Sequence, residues 1–280
     1  MQSSRRVQLK NNGCGPTTRQ AFEEFRRKAD KEPFLTQQSM LVDPACTFKD
    51  FCRPLLRSYQ LQGQDEIAWK NRLGHGMDGT IWKVSIGDGT YAIKVRECHN
   101  AALLQMIQAA VNNSSKPIYL KAEPKTRGDA VKNLHAFSDE GREECRYKGR
   151  SDSISYSSTP RLRRCYGWTK VHGEDLWALG PGLQPPDVTI DGVRRHIRRD
   201  EEYYAIVYEF FSEGKTSTNA AAVQQELDFF WRVGFCFVPL RKVNWIDGVL
   251  LDMADIVCPW HAAWHYTRYK RCNADILLTA

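Results

Sequence analysis

Between residues 66 and 97 apolar and polar positions alternate with a period of two, which predicts three short strands. They are EIAWKNRLG (66–74), GTIWKVSIG (79–87) and GTYAIKVRE (89–97). In the second, Ile81, Lys83 and Ser85 alternate against Trp82, Val84 and Ile86. Gly87-Asp88-Gly89 joins the last two as a hairpin. RRCYGWTKV (163–171) and YYAIVYEFF (203–211) fit two more strands, the latter rich in aromatic and β-branched residues. Helical spacing marks 16–32, where Thr17 or Thr18 caps a face of Ala21, Phe22 and Phe25. A stronger helix covers 217–234. Ser217 or Thr218 caps it, Val223, Leu227, Phe230 and Trp231 form its apolar face, and Gly234 closes it. Residues 101–111 are helical in pattern, and so are 137–150, with Ser138 as cap. Residues 41–56 are apolar but broken by Pro44 and Pro54, which predicts irregular chain with room for one helical turn. The first 15 residues are polar, and 112–130 and 179–202 have the composition of loops or insertions.

Composition narrows the class. A chain of 280 residues that is 42% hydrophobic and 26% charged can build a sizeable core. That excludes a disordered tail, a collagen-like chain and a minimal disulfide scaffold. A net charge of +7 is too mild to indicate nucleic-acid binding by itself. The nine cysteines are odd in number and include no C-x-x-C pair, which predicts reduced, mostly buried thiols. With no apolar leader and no run long enough to cross a bilayer, the expected location is the nucleus or cytoplasm, without a membrane.

The first turn of the strand set adds chemistry. Its glycines, Gly74, Gly76 and Gly79, follow G-x-G-x-x-G and are succeeded by Ile81. In a dinucleotide-binding fold such a turn leads into a helix. Here a second strand follows, as in the glycine-rich hairpin that covers nucleotide phosphates in kinases. The third strand carries Ala92-Ile93-Lys94, matching the V-A-I-K pattern. A lysine between apolar neighbours in a central strand needs an anion. Phosphate and a helix carboxylate are the expected partners, and Glu144 of EECRYKGR is the expected carboxylate, with Glu143 as fallback. Tyr208-Glu209-Phe210 is placed at the hinge, where the backbone at Glu209 would meet an adenine edge. Further on, Asn244 and Asp252 fit the two metal-holding positions of a kinase, with Asp247-Gly248 as the hairpin turn between them. Five residues before Asn244 the catalytic aspartate is replaced by Pro239, which cannot accept a proton.

Over residues 66–261 the chain resembles the kinase-like Fta-two-type subunits of the fungal kinetochore complex named after Sim-four. LGHGMDGTIWKVSIGDGTYAIKV, EECRYKGR, RRCYGWTKV and LRKVNWIDGVLLDMADIVCPWH carry the resemblance. It implies a kinase-related fold and a kinetochore role with protein partners. Relatives often carry an aspartate at the place of Pro239, so its absence argues against phosphoryl transfer here.

Two other constellations carry less. His261 and His265 are four apart, but Ala262 replaces the glutamate a metalloprotease needs. Arg161, Arg163 and Arg164 form one basic cluster and Arg194, Arg195, Arg198 and Arg199 another, the second offset by Asp200, Glu201 and Glu202. They suit a solvated face or an acidic partner, and nucleic acid is not the expected ligand.

The expectation is therefore an α+β, protein-kinase-like two-lobed fold, with an antiparallel small-lobe sheet and a reduced helical second lobe. Residues 1–65 form a partly helical extension. The small lobe spans 66–211, with insertions near 96–136 and 172–202, and the second lobe spans 212–280. Residues 253–280 are too few for a peptide-substrate platform. The expected function is that of a pseudokinase or nucleotide-binding scaffold, with ATP and Mg2+ held by Gly74, Gly76, Gly79, Ile81, Lys94, Glu144, Glu209, Asn244 and Asp252. The alternatives are an active atypical kinase using a displaced acid such as Asp247 or Asp255, and a binding module with an empty pocket.

Overall fold

The computed structural model describes residues 34–61, 66–76, 79–95, 100–190, 193–212 and 219–279. The helix expected over 16–32 and the caps Ser217 and Thr218 lie outside the described residues, as does the tip of the glycine turn at 77–78. The chain opens with strand β1 (Leu35–Ser39), a one-turn helix α1 (Phe48–Cys52) and strand β2 (Leu56–Ser58). The strands β3 (Ala68–Gly76), β4 (Gly79–Ile86) and β5 (Gly89–Val95) follow, and then helix α2 (Asn100–Asn112). A small hairpin of β6 (Ile118–Lys121) and β7 (Ser153–Tyr156) encloses helices α3 (Arg127–His135) and α4 (Asp139–Glu144). Next come β8 (Cys165–His172), helix α5 (Gly173–Ala178), the hairpin of β9 (Val188–Ile190) and β10 (Val193–Arg195), and β11 (Glu202–Glu209). After helix α6 (Ala220–Arg232) four two-residue strands remain: β12 (Cys236–Phe237), β13 (Trp245–Ile246), β14 (Val249–Leu250) and β15 (Ile256–Val257). Helix α7 (Ala274–Thr279) ends the described chain.

The architecture is α+β: a seven-stranded sheet with the order β1-β2-β8-β11-β5-β4-β3, and seven helices among the described residues. From β8 to β3 the sheet is antiparallel, but β1 pairs with β2 and β2 with β8 in parallel. The sheet is thus mixed, not antiparallel throughout. The reason is the segment assigned to an extension, whose residues 34–58 add two strands to the sheet. Between them Pro44 and Pro54 stay outside regular structure, and Thr47 forms a capping box with Asp50 to start the single turn of α1. Trp168 Nε1 donates to Thr36 O at 2.9 Å and ties the edge strand down.

Each face of the sheet is buried. The alternation of β4 sends Trp82, Val84 and Ile86 to one face, with Ile93, Val95, Ala205 and Val207 beside them. Leu176 and Ile197 close over this face, with Trp177, Leu179 and Leu183 packed around them. Trp82 Nε1 donates to Leu183 O (2.7 Å) and Arg72 Nη1 to Gln184 O (2.6 Å). The proline-rich stretch that looks like a loop is therefore a cover for the sheet.

Against the other face lies the larger core, built on α2, α3 and α6. Helix α2 is buried nearly all round, from Ala101 through Ile107 to Val111. It belongs to the centre of the core, not to a looped-out insertion, because a helix apolar on every side must be covered on every side. Helix α6 buries Val223, Leu227, Phe230 and Trp231 as its spacing predicts, with Asn219 as its cap. Pairing of β12 with β15 and of β13 with β14 folds residues 236–257 back under β5.

Candidate functional site

Lys94 stands on β5 opposite Ile81 of β4 and Ile206 of β11, so all three side chains share the face that meets the larger core. It is 3% exposed, and its ammonium pairs with Asp252 Oδ1 at 2.8 Å. Asp252 ends the β14 segment and caps the short turn Met253–Asp255, accepting Ala254 N–H at 3.1 Å. Burial pushes the Asp252 carboxyl up, but the charge and hydrogen bond of Lys94 outweigh it and hold the pKa below the ordinary value.

Asp255 follows in the same turn and is 3% exposed. Burial, reinforced by the nearby charge of Asp252, raises its pKa to about 6 against the bond it accepts from Asn244 Nδ2 at 2.7 Å. Asn244 also accepts Leu251 N–H on its backbone carbonyl at 2.8 Å. From α2, Asn100 donates to Met253 O (2.8 Å) and Ile256 O (2.7 Å), so the central helix fixes the acidic turn. The structure thus pairs Lys94 with Asp252 and Asn244 with Asp255 across one short turn, which Asn100 holds from α2. Sequence reasoning weighed Asp255 only as a displaced acid and did not single out Asn100, whose partners are backbone groups more than 150 residues away.

Gly74 and Gly76 face open space where a side chain would project, and Gly79 sits at φ 129°, which favours glycine. Asp247 and Gly248 both have positive φ, forming the expected turn between β13 and β14. Pro239 is exposed, just after β12.

Two expectations are corrected. Glu144 does not meet Lys94. Its carboxylate is 43% exposed and pairs with Arg146 at 2.9 Å and His135 at 3.6 Å. The cause is placement: α4 docks on α1, with Asp139 N–H donating to Cys46 O and Glu140 accepting Phe48 N–H. The helix under β5 is α2, whose sequence holds no carboxylate. At Glu209 the backbone is engaged within the chain. Its N–H donates to Arg164 O (2.8 Å), its carbonyl accepts Arg163 Nε (3.3 Å), and its carboxylate pairs with Arg161 (2.6 Å). Arg163, 8% exposed, also donates to Leu251 O and stacks on Tyr208 at 4.4 Å. It links the end of β11 to the Asp252 segment. Charge alone had placed Arg163 in a basic surface cluster, and only its burial separates it from Arg161 and Arg164.

Beside Arg163 and Tyr208 a cleft of about 220 Å³, open solvent included, is floored by Leu104, Gln105 and Met253. For a divalent ion the oxygen donors at hand are the Asp252 carboxylate and Asn244 Oδ1, which suit magnesium in kind. No group of three or more His, Cys, Asp or Glu side chains among the described residues is arranged to hold a metal. His261 is half-buried, with its pKa lowered to about 4 by desolvation, and its Nδ1 accepts Ala263 N–H.

Residues 41–257 match the family of the kinetochore Sim4 complex subunit FTA2. The chain belongs to this family. The match begins within the β1–α1 connection and runs through β15, so it takes in α1 and β2 together with Lys94, Asn244 and Asp252. No curated protein and no solved structure matches the chain. A subunit of a kinetochore complex has protein partners and, in general, a nuclear location. None of the helices among the described residues is long and apolar enough to cross a membrane.

Proposed function

We propose that the chain is a non-catalytic, kinase-like scaffold subunit of the Sim4 kinetochore complex. The buried pair of Lys94 and Asp252 at 2.8 Å carries this reading. In a working kinase the lysine holds phosphate and the aspartate holds metal. Here they neutralise each other in the core, Arg163 engages the Glu209 carbonyl, and Pro239 stands where a base is needed. The lysine and aspartate then act as a strut between β5 and the segment after β14.

The strut has a measurable consequence. Removing one partner of a buried ion pair costs about 3–5 kcal/mol, because the other charge is left uncompensated. Lys94→Met should lower stability by roughly that amount, and Lys94→Met with Asp252→Leu should recover most of it. Under this reading ATP with magnesium leaves the thermal midpoint of the wild type unchanged.

A second reading, a scaffold that binds ATP and Mg2+, draws on Gly74 and Gly76. Their backbone borders open space on the strand that pairs with β4, one strand from Lys94. Bound phosphate would take the lysine from Asp252, which with Asn244 would hold the metal. An ATP- and magnesium-dependent rise in thermal midpoint, lost in Lys94→Met, would establish this reading and overturn the first. Transfer of labelled phosphate, abolished by Asp252→Asn, would instead identify an active atypical kinase.

A further inference from the structure

Three cationic side chains are buried among the described residues: Lys94, Arg163 and Arg57, the last 6% exposed. The first two are answered. Lys94 pairs with Asp252, and Arg163 donates to the carbonyls of Leu251 and Glu209. Arg57 is not. Its guanidinium makes no hydrogen bond and no ion pair with any described residue. Burial pulls its pKa down, against a weaker upward pull from the charges of Asp43, Cys165 and Cys46. An arginine stays charged inside a protein, so losing a proton does not relieve the cost of burying it.

Asp43 does not fill the place of a partner. Its carboxylate is exposed and accepts Asn113 Nδ2 at 3.0 Å, just past the end of α2. An exposed anion beyond ion-pairing distance compensates a buried guanidinium only weakly. The backbone at Arg57 is fixed. β2 pairs it with Thr36 of β1, and its carbonyl packs on Gly167 of β8, where a Cβ would lie 2.6 Å from it. The side chain is not sealed in. None of its nitrogens is among the unpartnered side-chain atoms fully enclosed away from solvent. A desolvated, backbone-anchored fork of N–H donors matches the oxygens of a carboxylate or a phosphate, and little further ordering is needed on binding.

We propose that Arg57 anchors an oxyanion site, which takes the carboxylate or phosphate group of a ligand that the described residues do not supply. A buried charge left without a counter-charge is destabilising, and an incoming oxyanion relieves that cost. A carboxylate and a phosphate present the same geometry of oxygens to the fork. Asp43 acts as a competing negative charge and lowers the affinity for either. Neither Lys94 nor Asp252 is among the charges that reach Arg57, so the site does not depend on whether the Lys94 cleft takes a nucleotide.

The test is thermal unfolding of the full chain in inorganic phosphate and, separately, in glutarate, each against sodium chloride of equal ionic strength. The expected result is a saturable rise in midpoint with at least one oxyanion, about 3 °C at ten times its dissociation constant. The tighter of the two names the group the site is built for. Arg57→Met should lose the saturable rise and keep a midpoint no lower than that of the anion-free wild type, because an apolar chain replaces an uncompensated charge. Arg57→Lys keeps the charge without the fork and should bind about fivefold more weakly. Asp43→Asn keeps an acceptor for Asn113 and should bind more tightly. The rise should persist in Lys94→Met with Asp252→Leu, which separates this site from phosphate held at the Lys94 cleft. Four results would overturn the proposal: no saturable rise with either anion, the same rise in Arg57→Met, loss of the rise in Lys94→Met with Asp252→Leu, or midpoints that fall alike in Asp43→Asn and Arg57→Met, which would make Asp43 the counter-ion.

Discussion

Glu226 and Lys94 are both buried ionisable residues, and the fold treats them differently. Lys94 meets a counter-charge. Glu226, 1% exposed on α6, accepts Leu250 N–H at 2.8 Å through Oε2, while its Oε1 has no partner among the described residues. Burial pushes its carboxyl well above the ordinary 4.5. In the unfolded chain the group ionises near 4.5 and in the folded chain it stays protonated, so folding takes up a proton. Stability attributable to this site is therefore undiminished below pH 4.5. It declines as pH rises above that, until the folded group itself ionises. Glu226→Gln keeps an acceptor for Leu250 and removes the titration. It should match the wild type near pH 4 and be progressively more stable above pH 5, as urea unfolding across pH would reveal. At this scale the need of Lys94 for an anion was legible from its apolar neighbours. The identity of the anion was not, because Asp252 lies 158 positions away and competes with nearer acids.

Elements with strong local signals came through where expected. The β4–β5 hairpin and the strands β8 and β11 follow alternation and turn chemistry, and α6 follows its apolar stripe. The β13–β14 turn was legible from Asp-Gly alone, and the structure adds a packing reason. Gly248 has φ 79°, and a Cβ there would lie 2.5 Å from Ala222 Cβ on α6. Gly248→Ala should cost about 1–3 kcal/mol through strain and overpacking. Because this hairpin leads into Asp252, hydrogen exchange at Leu250 should accelerate as well. Two regions were misread for opposite reasons. Helix α2 lacks a polar face, so nothing local marked it as the central helix. Strands β1 and β2 are too short, and too close to prolines, to display alternation; their partners hold them.

On the scale of the whole molecule, the sheet is stable because both faces are covered. The segment between β8 and β11 covers Trp82, Val84 and Ile86, yet His172 and Glu202 are directly paired across the two strands. A short glycine–serine turn could therefore replace residues 174–198 without breaking the strand pairing. The replacement should uncover the outer apolar face, lower the thermal midpoint and produce strong binding of a hydrophobic dye. An unchanged midpoint without dye binding would contradict the role of this segment as a cover.

From the amino-acid order alone came the alternating strands, their glycine turns, the apolar stripe of helix α6, the lysine that requires an anion, and the family. Each depends on residues within a few positions of one another or on a motif carried along the chain. Tertiary structure decided that Asp252, not Glu144, answers Lys94, that Arg163 is an internal tie, and that a proline-rich stretch roofs the sheet. Those outcomes depend on which distant groups share a buried volume. Burial makes an unpaired charge or an uncovered apolar face costly, and only the complete packing determines which partner relieves that cost.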